Sequence, residues 1–117
     1  MGTFTQPLTL IGPGGERRTV DALVDSGSTL TSVPANVLRE LDVQPTRTVR
    51  LRLADGRSHD QQLGRLMVQL DGLEELTFVV FGEQESPAIL GAITLETLLL
   101  GIDPVGRRLV PVERWQA

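Results

Sequence analysis

The chain predicts a mostly β protein: a small closed or half-closed antiparallel barrel with two short helices. Three observations carry this expectation. Apolar-rich runs of about four to eight residues, several with alternating polarity, recur along the chain as half-buried strands do. Turn clusters built on Gly, Pro and Asp separate them at short intervals. Only two stretches, Pro34–Leu41 and Ile93–Leu100, carry apolar residues in a pattern suited to helices. Closed antiparallel sheet needs only short connections and leaves few free edges.

Each element follows from its residues. Phe4–Ile11 alternates loosely and reads as a strand, and Gly12-Pro13-Gly14-Gly15 as a turn. Arg18–Val24 turns Val20, Ala22 and Val24 to one face and Leu23 to the other, completing a hairpin. Asp25–Ser28 reads as a tight loop and Leu30–Val33 as a further extended run. Pro34 fits the first helical position, where its missing N–H is harmless, and Asp42-Val43-Gln44-Pro45 ends that helix. Thr48–Leu53 alternates Val49, Leu51 and Leu53 against Arg50 and Arg52, and Ala54-Asp55-Gly56-Arg57 is a hairpin signal. Ser58–Gln62 is polar and unlike a core strand. Leu63–Leu70, the Asp71-Gly72 turn and Leu76–Phe81 return to sheet, and Gly82–Ser86 is a loop. Ala88-Ile89-Leu90 is short and apolar, followed by Gly91. Gly101 is expected to stop the second helix, leaving a last hairpin around Gly106 and a closing strand from Arg108 to Val112.

Composition narrows the function. The 117 residues form one expected domain, 1–117, with 40% apolar and 22% charged residues. Net charge is -4 and no basic stripe exists, which argues against a nucleic-acid partner. No apolar run reaches the roughly 20 residues of a membrane helix. The start, MGTFTQPLTLIGPGG, lacks the basic and apolar regions of a secretory signal, so a cytoplasmic location is expected. There is no cysteine, one histidine (His59) and no glycine-rich nucleotide loop, so neither cofactor nor metal is expected.

The chemistry concentrates in Asp21–Pro34, DALVDSGSTLTSVP. Asp25 follows an apolar strand and opens a cluster of small hydroxyl residues. Asp-Ser-Gly is also ordinary turn composition. The functional reading is that a strand end delivers a carboxylate into a shielded place, where loop N–H groups and the Ser26 and Ser28 hydroxyls support it. One carboxylate hydrolyses little; two that share a proton supply both a base and an acid. The chain holds one such element, so a catalytic Asp25 requires a homodimer in which symmetry brings its twin. Ala88–Gly91 echoes Ala22–Gly27, an apolar strand ending at glycine; an internal repeat would produce that, and so would chance.

Leu23-Val24-Asp25-Ser26-Gly27-Ser28 resembles the active-site signature of the retropepsin-like (retroviral-type) aspartic proteases. Ala88-Ile89-Leu90-Gly91 with the following helix is similar to that family's second marker. The order of elements matches over nearly the whole chain, as in small bacterial single-domain members. The resemblance implies the retropepsin-like acid protease fold and an aspartic endopeptidase acting on peptide substrates as a homodimer, with water activated between two Asp25 carboxyl groups. It implies that Ser26 reaches across the dimer axis, that Gly27 admits the substrate backbone, and that Ser28 bonds the outer oxygen of Asp25. A flap is implied around Ala54, Asp55 and Gly56, extending to Gln61, though it is poorer in glycine and more charged than retroviral flaps. Val33 and Ile89 would line substrate pockets by the same analogy, and Trp115 would serve the subunit interface or the monomer's own core. The alternative is a noncatalytic homodimeric peptide-binding or interaction module on the same fold; a generic small β-barrel is the third reading.

Overall fold

The computed structural model describes residues 4–52 and 55–112. β1 (Phe4–Ile11) and β2 (Arg17–Val24) form the expected hairpin, with Phe4 opposite Val24 and Ile11 opposite Arg17. Period-two alternation sends Leu8 and Leu10 of β1, and Ala22 and Val24 of β2, into the core. β3 (Thr31–Pro34) runs directly into α1 (Ala35–Glu40). Pro34 is the cap rather than the first helical residue: its φ of -51° suits a helix, but its ψ of 135° is that of a strand. α1 ends in a Schellman motif, with Asp42 at a φ of 62°. The Asp42 N–H bonds the Arg39 carbonyl and the Val43 N–H bonds the Leu38 carbonyl, while Val43 and Leu38 bury their side chains together in the core.

β4 (Pro45–Arg52), β5 (Ser58–Leu70) and β6 (Leu73–Gly82) form a meander. Asp71 and Gly72 alone join β5 to β6, with φ of 50° and 79°, the left-handed pair a type I′ hairpin turn requires. The polar stretch Ser58–Gln62 belongs to β5 after all. It pairs only with Thr48–Arg52, so it needs no core-facing side chains, and the two segments project from the sheet as a hairpin arm.

β7 (Ala88–Leu90) completes the barrel. The order β1-β2-β7-β3-β6-β5 closes on itself where Thr9–Ile11 pair with Met67–Gln69, and β4 hangs outside on β5. The closure is the expected one, though two of its contacts, β2–β7 and β3–β6, run parallel. Leu8, Leu10, Val33, Leu38, Val68, Val79 and Leu90 fill the interior with no exposed surface.

α2 (Ala92–Thr97) is shorter than its apolar stretch predicts. Leu99 adopts a φ of 57°, which ends the helix, and Leu100–Asp103 becomes β8, paired with β9 (Arg108–Pro111). Helix and strand both send leucines to one core, so the change of period is hidden in the pattern. Gly101 therefore lies inside a strand and does not stop the helix. Trp115 falls outside the described residues. Among those described, no helix is long and apolar enough to cross a membrane.

Candidate active site

The site is built where two parallel strands end. β2 and β7 lie in register, Ala22 beside Ala88, Leu23 beside Ile89 and Val24 beside Leu90. The sequence echo is thus a spatial one. The Asp25 N–H extends this ladder to the Leu90 carbonyl at 3.1 Å, fixing the backbone at the point where the chain turns.

Past that point Asp25 organises its own loop. Its carbonyl accepts the Ser28 N–H at 3.1 Å. Its Oδ1 accepts the Gly27 N–H at 2.9 Å, and its Oδ2 accepts the Ser28 hydroxyl at 3.3 Å. A carboxylate offers about four lone-pair positions. Two are filled by these neutral donors, and among the described residues no cation pairs with Asp25. Asp25 and Ser28 are half-buried, whereas Ser26 and Gly27 are exposed, and the Ser26 hydroxyl has no hydrogen bond among the described residues.

The loop is locked to α2. The first N–H groups of a helix lack partners within it; here the Ser28 carbonyl takes the Ala92 N–H at 2.8 Å and the Thr29 carbonyl takes that of Ile93 at 3.0 Å. Gly91 permits this approach, since a Cβ there would meet the Leu30 carbonyl oxygen at 2.5 Å and the Ser28 oxygen at 2.9 Å. Behind it runs a buried hydroxyl relay that the sequence reading missed. The Gly91 N–H donates to Thr31 Oγ1 at 3.0 Å, Thr31 and Thr94 hydroxyls meet at 2.6 Å, and Thr94 and Thr77 at 2.8 Å. All three threonines are buried, so each hydroxyl must find a protein partner. Threonines interrupting otherwise apolar runs were the available signal.

A groove of about 490 Å³ opens beside the loop. Ser28, Thr29, Leu30, Ser32, Val80 and Ile89 line one side, and Arg50, Leu51, Arg52 and Gln61 of the hairpin arm line the other. Ser28 therefore touches both the carboxylate and the groove. Of the expected pocket residues, Ile89 lines the groove. Val33 does not: alternation along β3 turns it wholly into the core, and Ser32 takes the groove position instead. Ala54 lies outside the described residues. Asp55 and Gly56 form the arm's tip, where Asp55 Oδ1 accepts the Arg57 N–H at 3.0 Å, Oδ2 accepts Arg57 Nε at 2.6 Å, and Gly56 takes a φ of 89°. Neither lines the groove as it stands.

A second hollow, about 570 Å³, includes Pro13, Val43, Arg65, Met67 and Leu76 and shares no residue with the groove. Its one carboxylate is Asp42, so it offers no acid–base pair. Among the described residues no group of three or more His, Cys, Asp or Glu side chains could hold a metal ion.

Comparison with known proteins agrees with this geometry. The solution structure of simian foamy virus (mac) protease superposes with a TM-score of 0.58 at 21% identity, covering 79% of this chain and 91% of that one. The retroviral protease-like domain of Ddi1 from Leishmania major gives a TM-score of 0.61 at 21% identity, covering 95% and 89%. Both carry the retropepsin-like fold, which this chain shares. No match is found among curated proteins. The aspartyl protease family model matches residues 8–103, a span that takes in the Asp25 loop, the groove, the arm and α2. Over most of its length, then, the chain is a member of the retropepsin-like aspartyl protease family.

Proposed function

We propose that the protein is an aspartic endopeptidase that works as a homodimer, with the two Asp25 side chains facing each other across a two-fold axis. One observation carries the reading. Asp25 stands at a strand end with both carboxylate oxygens held by its own loop, unpaired by any described cation, beside a groove lined in part by a hairpin arm. The exposed Ser26 and Gly27 are what a second copy of the loop would meet.

The chemistry follows from two carboxyl groups sharing one proton. The ionised Asp25 takes a proton from a water molecule as the water oxygen attacks the peptide carbonyl carbon. The protonated Asp25 gives its proton to the carbonyl oxygen, so the tetrahedral intermediate is a neutral gem-diol. Collapse breaks the C–N bond. A diol proton returns to one carboxylate, and the other carboxyl protonates the departing amine, restoring the starting state. The Gly27 N–H and Ser28 hydroxyl hold each carboxylate in orientation throughout, and neither is consumed. The substrate would bind extended between floor and arm, adding strand-like hydrogen bonds.

The test is cleavage of a mixed peptide library by the purified protein beside Asp25→Asn. Wild type cleaves, the variant keeps its fold and mass in sedimentation, and cleavage falls by at least about 100-fold, the scale of a lost general base. Cleavage that survives Asp25→Asn, or activity from a species that stays monomeric, would refute the proposal. Peptide binding without cleavage would point instead to a noncatalytic module on the same fold.

A further inference from the structure

The hairpin arm carries a charge that its own residues do not cancel. Residues 48–62 contain three arginines, Arg50, Arg52 and Arg57, against two aspartates, Asp55 and Asp60. Both aspartates are committed. Arg50 Nε meets Asp60 Oδ1 at 3.1 Å, and Arg57 Nε meets Asp55 Oδ2 at 2.6 Å. Arg52 is left over: it is exposed, it has no ion pair among the described residues, and it lines the groove. Its partner across the arm is Ser58, which brings no charge. The groove's other cation, Arg50, is the one paired with Asp60. Its remaining residues are uncharged, with Leu30, Leu51, Val80 and Ile89 giving an apolar bed and Ser28, Thr29, Ser32 and Gln61 neutral hydrogen-bonding groups. Asp25 is the nearest acid of the proposed machinery, and it would repel a like charge at the scissile bond itself.

We infer that Arg52 selects peptide substrates that carry an acidic side chain a short way from the apolar residues bound in the groove. The inference rests on the proposed reading of the groove as a peptide site. An apolar bed with one uncancelled cation at its arm favours a segment of apolar residues followed or preceded by Glu or Asp. Repulsion from Asp25 keeps that acid off the residues adjoining the cleaved bond. The contact is exposed, so it tunes choice among peptides and falls away as salt rises. In a dimer the second arm repeats the selection on the other side of the cleft.

The experiment uses matched peptides with an apolar centre, scanned with Glu against Gln at each flanking position, and reads kcat/KM for the full chain. At one flanking position or more, wild type cleaves the Glu peptide about two- to five-fold faster, the range that exposed ion pairs reach. That ratio falls to one in Arg52→Gln and reverses in favour of a Lys peptide in Arg52→Glu. It survives in Arg65→Gln, a residue that does not line the groove. Equal rates for Glu and Gln peptides at every position in wild type, or a ratio that persists in Arg52→Gln, overturns the inference. If no peptide is cleaved, the protease reading is what fails. Arg52 is then judged by equilibrium binding of the same peptides to the Asp25→Asn protein, where equal Kd values for Glu and Gln peptides overturn the inference and a preference lost in the added Arg52→Gln change supports it.

Discussion

Replacing Gly91 by Ala tests how tightly the Asp25 loop is built. Gly91 has a φ of -96° and a ψ of 176°, an extended conformation open to any residue, so the backbone itself sets no bar. What excludes a side chain is contact. The added Cβ would stand 2.5 Å from the Leu30 oxygen, 2.6 Å from its carbonyl carbon and 2.9 Å from the Ser28 oxygen. All three are backbone atoms, so no rotamer change relieves the clash. Ordinary contact begins near 3.4 Å, and the loop must therefore retreat by 3.4 minus 2.5, about 0.9 Å. That is enough to spoil the Ser28–Ala92 bond of 2.8 Å and the Thr29–Ile93 bond of 3.0 Å that tie the loop to α2. Overpacking costs about 1–3 kcal/mol and weakening two partly exposed backbone bonds about 1 kcal/mol more, so a net loss of about 2–4 kcal/mol is expected. At about 4 °C per kcal/mol for a chain of this size, Tm falls by about 8–16 °C. Gly14→Ala is the control, because a Cβ there meets nothing within 4 Å; its Tm should move by no more than about 2 °C. Thermal unfolding of the three proteins decides the matter. A Gly91→Ala protein that melts within about 2 °C of wild type would show that the loop yields freely, and the packing argument would fall. On the proposed function the same substitution cuts kcat/KM by about 100-fold, since a displacement near 1 Å misaligns the carboxylate.

Two further outcomes follow from polar groups that do not line the groove. Thr94→Val keeps volume but removes the hydroxyl between Thr31 and Thr77, and should cost about 1–3 kcal/mol because two buried hydroxyls lose their shared partner. Thr94→Ser should recover most of that loss in urea unfolding, whereas a Val variant as stable as wild type would contradict the relay. Asp103 accepts the Val105 and Gly106 N–H groups on Oδ1 and Arg108 Nε on Oδ2. The Gly106 N–H foremost, then Arg108, holds its carboxyl below the ordinary 3.8. Because the folded value is the lower one, this stabilisation is complete above the unfolded value and disappears as pH falls through the folded value. The urea midpoint of wild type should exceed that of Asp103→Asn by a small constant amount from about pH 5 upward, and the gap should close as the solution is acidified below 3.8. A gap that stays open in strong acid would refute the linkage.

The parts of the fold legible in the sequence were those set by neighbours along the chain. Alternation fixed the β1–β2 hairpin, Asp71-Gly72 declared its two-residue turn, and the apolar face of Ala35–Leu41 declared α1. The parts that were not legible depend on partners distant in sequence. Nothing in Ala88-Ile89-Leu90 says that it lies parallel to Ala22-Leu23-Val24, because a three-residue apolar run fits either direction. Ser58–Gln62 looked unlike a strand because a strand of the projecting arm lacks an apolar face, even though its ladder with β4 is regular. Analogy alone makes Val33 a pocket residue, yet the alternation that buries Thr31 also buries Val33 and leaves Ser32 at the groove. Asp25 was visible for a different reason. A charged residue at the end of an apolar strand is costly unless its surroundings supply donors, and two donors, the Gly27 N–H and the Ser28 hydroxyl, lie within the next three residues of the chain.

The two strand ends also bear on why a second chain is proposed. β2 and β7 deliver their last residues side by side; β2 is followed by a loop tied to α2, and β7 by Gly91 and α2 itself. One end carries an acid, Asp25, and the other carries Gly91, whose lack of a side chain admits the acid's loop. The internal echo is thus structural, and the steric fit that makes it possible prevents the second copy of the element from supplying a carboxylate. Among the described residues no acid lines the groove beside which Asp25 stands, and Asp60 and Asp55 are taken up by Arg50 and Arg57 on the arm. On the proposed reading, a proton-sharing pair draws its second member from a second copy of the chain. The surface best suited to meet it is the one left exposed, Ser26 with a hydroxyl unbonded among the described residues and Gly27 with no side chain to obstruct the approach.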